Sequence, residues 1–297
     1  MTDHSLLSDP DRPGMIRVVS AAATHVGKVR AMNEDSHLNV PPIFLVADGM
    51  GGHNAGEVAS AIAVEEFEKL GVQESVTIEQ LGDALALAAE RIAELGPEGG
   101  LGAGTTVALV ATMVLDDVGY WVVLNLGDSR VYRLSDDIFE QVSVDHSVVQ
   151  ELMDRGDLTP EQAKSHPYRH MVTRALGAGP TSDPDYWLIP AEAGDRMLIC
   201  SDGLTGEVDD ATIERLLRSP ADVRTVCENL VDLALESGGR DNVTVLVVEA
   251  VEIVGMHVDT DGVTRPPASG STPCEPEYGF DEDTLPRRLS NPGGENA

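Results

Sequence analysis

The sequence predicts an α+β fold in which mainly antiparallel sheets carry helix pairs on their outer faces. Runs rich in β-formers outnumber helical runs, they follow one another along the chain, and short turns join them. An alternating βαβ array would instead place a helix between successive strands. Neither an internal repeat nor a change of composition divides residues 15–252, so we expect one domain there.

The first half of this domain is predicted to contain two strands followed by two helices. Residues 15–24 have the composition of a strand, and the apolar run 43–47 is typical of a buried one. Apolar side chains then recur at helical spacing over about 55–70 and 77–95. The loop between the two strands carries the run V-R-A-M-N-E-D-S.

The second half returns to strands. Residues 105–115 and 119–126 flank the turn sequence D-D-V-G, which predicts a hairpin, and a short strand follows in R-V-Y-R-L. Residues 145–179 are polar and irregular, and we expect them to form a surface insertion. Beyond the insertion the pattern predicts two strands and two helices, at 195–200 and 243–250 and at 211–218 and 221–237.

The composition limits the kinds of partner that this protein could bind and the cellular compartment in which it would function. The 297 residues carry a formal net charge of −31, which argues against nucleic acid and anionic membranes as partners. The three cysteines are widely spaced, so neither a disulfide framework nor a zinc site is indicated. Because neither a signal peptide nor a membrane-spanning run is evident, a cytoplasmic location is predicted. Residues 1–14 are predicted to be flexible and 253–297 to form a disordered acidic tail.

Acidic residues recur at the predicted strand ends. Taken singly, each Asp-Gly or Asp-Asn pair is typical of a turn. Most of these acids adjoin a strongly apolar strand, however, and converging carboxylates stay ionised together only beside a counter-charge. Oxygen ligands suit Mg²⁺ or Mn²⁺, so the pattern favours a divalent metal site. The acids concerned are Glu34, Asp35, Asp48, Asp128, Asp202 and Asp241.

Several neighbouring residues have more than one interpretation. Arg30 could form a surface ion pair with the adjacent acids or hold a phosphate with its planar guanidinium. His53 could be a loop residue, a ligand or an acid. The glycine-rich run after Asp48 matches neither G-x-G-x-x-G nor a lysine-bearing P-loop. Cys200 is not followed by the C-x5-R pattern of a thiolate phosphatase.

Eight motifs then fall in an order that resembles one known family. The sequence is similar to metal-dependent serine/threonine protein phosphatases of type 2C, most of all to their bacterial branch. The resemblance covers about residues 15–250. The motifs are R-A-M-N-E-D, V-A-D-G-M-G-G, G-T-T, N-L-G-D-S-R, D-H-S, T-R-A-L-G, S-D-G-L-T and G-G-R-D-N-V-T.

This resemblance implies a four-layer αββα sandwich with two Mn²⁺ or Mg²⁺ ions and a third, weaker metal site in a cleft at one end. Asp48 would bridge the two main ions, with Asp202 and Asp241 completing one of them. The other would take Glu34 and the Gly49 carbonyl directly, and Asp35 through water. Asp128 with Asp202 would frame the third, weaker site. Arg30 would bind the substrate phosphate, and the insertion 145–179 would be the family's mobile flap beside the active site.

Two positions depart from the family pattern. Met50 stands where many eukaryotic members have a histidine that is thought to protonate the leaving alcohol. His53, a metal-bound water or bulk water could take over that role. Gly206 stands where some members have an acid beside the third metal, which predicts weak binding there.

The resemblance implies hydrolysis of phosphoserine and phosphothreonine in proteins by a metal-activated water, without a phospho-enzyme intermediate. Arg30 and Asp48 would be the catalytic residues. The expected partners are phosphoproteins, including serine/threonine kinases and their substrates, and the expected form is a monomer. One alternative is a metal-dependent hydrolase of a small phosphorylated metabolite. Another is a catalytically silent phosphoprotein-binding module, which is disfavoured because every main ligand position retains an acid.

Overall fold

The structure is a computed structural model that describes residues 12–51, 55–95, 102–177 and 183–255, together with the backbone of 257–258 and 264–265. Its strands are β1 (Ile16–His25), β2 (Asp35–Val40), β3 (Ile43–Met50), β4 (Gly104–Thr105), β5 (Val107–Leu115), β6 (Val118–Leu126), β7 (Arg130–Ser135), β8 (Ile138–Gln141), β9 (Asp185–Pro190), β10 (Arg196–Cys200), β11 (Val243–Ile253), β12 (His257–Val258) and β13 (Thr264–Arg265). Its helices are α1 (Ala55–Glu68), α2 (Ile78–Glu94), α3 (Val148–Asp154), α4 (Pro160–Ala163), α5 (Asp202–Thr205), α6 (Asp210–Leu217) and α7 (Val223–Ser237).

Two antiparallel sheets form the centre of the described fold. One has the strand order β1-β11-β10-β7-β8, and the other has the order β2-β3-β5-β6-β9, with β4 paired to the end of β3. The predicted hairpin between β5 and β6 turns at Asp116 and Asp117, both of which have positive φ angles. Such angles at both central positions are those of a type I′ turn, whose twist matches the flanking strands.

Alternation along β3 explains why the sheets are covered on both sides. Successive side chains of a strand point to opposite faces. Ile43 and Leu45 belong to a core cluster with Phe67 of α1, whereas Phe44 and Val46 belong to the cluster between the two sheets. A third cluster joins the five-stranded sheet to α6 and α7. The layer order is therefore helices, sheet, sheet, helices, which confirms the predicted four-layer αββα sandwich.

Two local predictions at the acidic positions were wrong. Asp35 lies at the start of strand β2 and not in a loop, and Asp202 begins the short helix α5 and not a simple turn. The run D-S-H-L-N-V is too polar to predict a strand by itself, and it becomes one by pairing along β3. Strands β8 and β9 were missed as well, since each is short and mostly exposed or half-buried.

Backbone hydrogen bonds join the two ends of the described domain. The Gly14 N–H donates to the Val254 carbonyl at 2.8 Å, and the Val254 N–H donates to the Met15 carbonyl at 2.9 Å. Residues 1–11 and most of the predicted tail 253–297 lie outside the described residues, so the predicted boundaries stay predictions. Within the described ranges, none of the helices is long and apolar enough to cross a membrane.

Candidate active site

All the predicted site residues except Asp35 line one cleft of about 710 Å³. Antiparallel pairing brings them together, because the end of one strand lies beside the start of its neighbour. His25 at the end of β1 pairs with Val243 at the start of β11, and Cys200 at the end of β10 pairs with Val245. Nine positions named from the sequence line the cleft: Arg30, Glu34, Asp48, Gly49, Met50, Asp128, Asp202, Gly206 and Asp241.

Asp35 and Asp48 stand directly opposite each other in the β2–β3 pair. Residues paired in this way point to the same face of a sheet, and like charges placed opposite each other are destabilising. Asp48 is held by its backbone N–H, which donates to Thr106 Oγ1 at 3.0 Å. Two adjacent carboxylates at this position need a cation or a shared proton to offset their repulsion.

Asp35 is buried behind the cleft, and only one of its two carboxylate oxygens accepts hydrogen bonds. Its Oδ2 accepts a hydrogen bond from Ser201 Oγ at 2.8 Å and another from Thr244 Oγ1 at 2.7 Å. Its Oδ1 is buried and accepts none. Burial raises the pKa of Asp35 to about 7, although the two hydroxyl bonds act in the opposite direction. An unpartnered carboxylate oxygen at this depth suits a water-linked or direct cation contact.

The remaining acids repel one another across the cleft. Burial raises the pKa of Asp48 well above its ordinary value, and the charges of Asp35 and Asp202 raise it further. The pKa of Asp128 is also raised, first by burial and then by the charge of Asp202. The charge of Asp202 thus acts on both of these carboxyl groups.

This arrangement fits divalent cations in its donor chemistry. Most of the side chains around the cleft offer oxygen donors, and Asp35 Oδ1 is buried without a hydrogen-bond partner. A cation would relieve the repulsion between the carboxylates. Within the described ranges, no group of three acidic, histidine or cysteine side chains already stands ready to hold one ion. The acids of these ranges therefore surround the cleft, but no three of them converge on one ion position.

Gly49 and Glu34 are joined directly by a backbone hydrogen bond beside helix α1. The Glu34 carbonyl accepts hydrogen bonds from the Gly49 N–H at 3.2 Å and from Ser60 Oγ at 2.6 Å. A Cβ at position 49 would lie 2.2 Å from the Gly56 carbonyl oxygen, so only glycine fits. Burial is the main cause that raises the pKa of the Glu34 carboxyl.

Arg30 forms an ion pair, but with a different acid from the ones beside it in sequence. Its Nη2 lies 2.7 Å from Asp241 Oδ2, and this hydrogen bond is the main cause that raises the Arg30 pKa. Both side chains are partly exposed, and both line the cleft. The ion-pair and phosphate-binding interpretations are therefore compatible.

The insertion 145–179 contributes a wall of the cleft through four residues that sequence reasoning did not single out, Arg169, His170, Met171 and Val172. His170 Nδ1 lies 3.6 Å from Asp202 Oδ2. His53 lies outside the described residues. Met50 ends β3 opposite Gly104 and brings an apolar side chain to the site. Nothing in the polar, irregular composition of the insertion distinguished its cleft residues.

Asn242 is a second group that the sequence presented only as part of a turn. Its Nδ2 donates to the carbonyls of Val26 and Met32 at 2.9 and 2.8 Å. Its Oδ1 accepts from the Glu34 N–H at 2.8 Å. One side chain therefore fixes the loop that carries Arg30. Its place after Asp241 in G-G-R-D-N was the only available signal.

Two of the three cysteines belong to the described residues. Cys200 and Cys227 are free and buried, and burial raises the pKa of each thiol to about 12. A thiol with such a pKa stays protonated at neutral pH and is inert as a nucleophile. Cys274 lies outside the described residues.

Comparison with known proteins decides the family. A family model described as protein phosphatase 2C matches residues 28–247. The chain belongs to the protein phosphatase 2C family. This family member is 36% identical over 244 residues to the serine/threonine phosphatase stp of Listeria innocua, a match that covers 76% of this chain and 93% of that protein.

Solved structures agree with this family membership. The serine/threonine phosphatase PstP/Ppp of Mycobacterium tuberculosis is 38% identical with a TM-score of 0.74, covering 79% of this chain and 99% of that one. A structure of the PstP catalytic domain in complex with two manganese ions is 37% identical with a TM-score of 0.71, again covering 79% and 99%. The predicted family, the fold and the enzyme class of this phosphatase 2C member are therefore confirmed.

Proposed function

We propose that the cleft removes phosphate from phosphoserine and phosphothreonine in proteins, with the help of Mn²⁺ or Mg²⁺. The observation that carries this proposal is the pairing of Asp35 with Asp48 beside a cleft that also presents Arg30. The activity and the metal requirement are those of the family to which the chain belongs, and a related structure contains two manganese ions.

The cleft acids are the proposed metal ligands. Asp48 would be shared between the two main ions. Asp202 and Asp241 would serve one ion, and Glu34 and the Gly49 carbonyl the other. Asp35 is proposed to act through water, and Asp128 with Asp202 to hold a third, weaker ion. When bound, the ions supply Lewis acidity that activates water and neutralises phosphate charge.

The chain's own groups then bind and orient the substrate. Arg30 is proposed to bind phosphoryl oxygens through two parallel hydrogen bonds, the geometry that a guanidinium favours. Its present partner, Asp241, keeps it at the cleft. Ser201 and Thr244 keep the Asp35 carboxylate in one orientation from behind. Such preorganised polar groups lower the cost of rearrangement during phosphoryl transfer.

Phosphoproteins are the substrate class that family membership supports. We further propose that serine/threonine kinases and their substrates are among them, and that the protein acts in the cytoplasm as a monomer. The predicted metabolite hydrolase and the silent binding module are not favoured, because the curated relatives are named as serine/threonine or protein phosphatases. The chain also keeps an acid at each predicted carboxylate position.

One assay tests this function directly. Phosphate release from a phosphothreonine peptide is measured with Mn²⁺, with Mg²⁺ and after chelation, in parallel with a panel of phosphorylated metabolites. We expect metal-dependent release from the peptide and slow release from the metabolites. Preference for a metabolite, or tight peptide binding without release, would overturn the proposal.

A further inference from the structure

We propose that His146 is a positioning residue that holds the backbone of Gly127, directly before Asp128, and links it to the insertion residues that line the cleft. The inference rests on the proposed role of Asp128 in the third, weaker metal site. His146 belongs to the motif D-H-S and is buried, with 5% of its surface exposed. It does not itself line the cleft.

His146 binds both backbone groups of the residue before Asp128. The His146 N–H donates to the Gly127 carbonyl at 2.8 Å, and the Gly127 N–H donates to His146 Nδ1 at 3.1 Å. Gly127 has a φ of 122°, and a Cβ there would lie 2.5 Å from Thr106 Cγ2. Gly127 is thus enclosed between Thr106 and His146, and the direction of the next side chain is fixed.

The other ring nitrogen fixes the tautomer. Because Nδ1 accepts a hydrogen bond, the neutral ring carries its proton on Nε2. Nε2 then donates to Asp185 Oδ2 at 3.1 Å. This bond is the main cause that lowers the Asp185 pKa. Arg174 Nη1 lies 3.5 Å from the other oxygen of Asp185 and 3.4 Å from His146 Nε2, so the guanidinium stands beside both partners of this bond.

The backbone around His146 also pairs with residues 171–173, two of which line the cleft. The His146 carbonyl accepts from the Thr173 N–H at 2.8 Å, and the Val148 N–H donates to the Met171 carbonyl at 2.9 Å. Ser147 and Val172 form a β-bridge between these two bonds. Since Met171 and Val172 line the cleft, the segment 146–148 at the start of the insertion contacts both Gly127 and the later insertion residues that form a wall of the cleft.

Two substitutions separate the bond to Gly127 from the bond to Asp185. In His146→Asn the amide oxygen takes the place of Nδ1 and keeps an acceptor for the Gly127 N–H. In His146→Gln the amide reaches the place of Nε2, and the acceptor for Gly127 is lost. Both variants remove the ring, so a purely packing role would affect them equally.

Manganese binding to the full chain, followed by calorimetry, gives the readout. We expect His146→Gln to weaken the lowest-affinity ion by about 10–100-fold, as removal of outer-shell partners does, and His146→Asn to stay near wild type. Asp128→Asn serves as the reference and should abolish that ion. No weakening in His146→Gln, or equal weakening in both variants, would overturn the inference.

The reference also separates this inference from the proposed function. If Asp128→Asn leaves the weakest ion unchanged, the proposed third site is wrong, and the role of His146 falls with it. If Asp128→Asn abolishes the ion and His146→Gln does not weaken it, the inference alone is wrong. Should His146→Gln fail to fold, His146→Leu replaces it, because leucine offers no acceptor to the Gly127 N–H. His146→Leu should weaken the same ion, and unchanged binding would overturn the inference.

Discussion

Arg30 Nη2 lies 2.7 Å from Asp241 Oδ2, so the proposed phosphate-binding cation is bonded to a proposed metal ligand. Arg30 is proposed to bind an anion and Asp241 a cation, and here the two side chains bind each other. A phosphate at Arg30 and a cation at Asp241 would each take over one half of this ion pair. If Arg30 and Asp241 have the proposed roles, this relationship couples metal binding to phosphate binding.

Replacing Arg30 tests its role in phosphate binding. We expect Arg30→Ala to raise KM for a phosphothreonine peptide about tenfold or more with little change in kcat, because a hydrogen bond to a charged group contributes about 1.5–3 kcal/mol. Initial rates at saturating Mn²⁺ provide the measurement. Arg17→Ala is the matched control, since Arg17 pairs with Glu252 at the other end of β1. An unchanged KM in Arg30→Ala would remove the proposed role.

Asp35 gives the metal-free protein a characteristic dependence on pH. Burial raises its pKa from 3.8 to about 7. The folded protein therefore binds this proton more tightly than the unfolded chain. The contribution of Asp35 to the free energy of unfolding is fully present below pH 3.8 and is lost as the pH rises through about 7. We expect the free energy of unfolding to fall across that window, with Asp35 accounting for at most about 4 kcal/mol.

Denaturant unfolding of the chelator-treated protein at several pH values measures this effect. Asp35→Asn removes the titrating group and keeps an oxygen that can accept from Ser201 and Thr244. The variant should therefore show a flatter pH profile than the wild type. Identical slopes for the two proteins would contradict the account of Asp35.

Gly49 is predicted to tolerate no side chain. A Cβ there would lie 2.2 Å from the Gly56 carbonyl oxygen, and backbone atoms cannot move aside cheaply. We expect Gly49→Ala to lower the free energy of unfolding by about 1–3 kcal/mol, which is typical of overpacking. Chemical denaturation provides the measurement.

The control for Gly49 is another glycine in a regular element. Gly82 lies inside α2, where a Cβ would meet only Tyr186 Oη at 3.7 Å. Gly82→Ala should raise stability by up to about 1 kcal/mol through helix propensity. Equal effects of the two substitutions would show that the close approach at Gly49 does not exist.

Strong periodicity explains which parts of the fold could be predicted. The buried run of β3 and the helical spacing of α1 and α2 depend on local patterns, and their bounds were predicted to within a few residues. Most of the acids could be found because each follows an apolar strand. The whole site was assembled, however, from the order of eight motifs, since no single Asp-Gly pair distinguishes a ligand from a turn.

The missed features depend on contacts between distant residues. Asp35 looked like a loop residue because β2 is polar and becomes a strand by pairing with β3. Ser201 and Thr244 lie 166 and 209 residues from the carboxylate they bind. The cleft residues of the insertion, such as His170, carry no periodic signal. Long-range pairing of this kind leaves little trace in a single sequence.

The central claim is that the acids around Asp48 bind the cations on which hydrolysis depends. The most direct measurement is the rate of phosphate release from a phosphothreonine peptide by Asp48→Asn at saturating Mn²⁺, with the exposed Asp83→Asn as control. We predict at least about a 100-fold loss in Asp48→Asn, since metal-ion catalysis contributes several kcal/mol, and a normal rate in the control. Turnover like the wild type in Asp48→Asn would contradict the account.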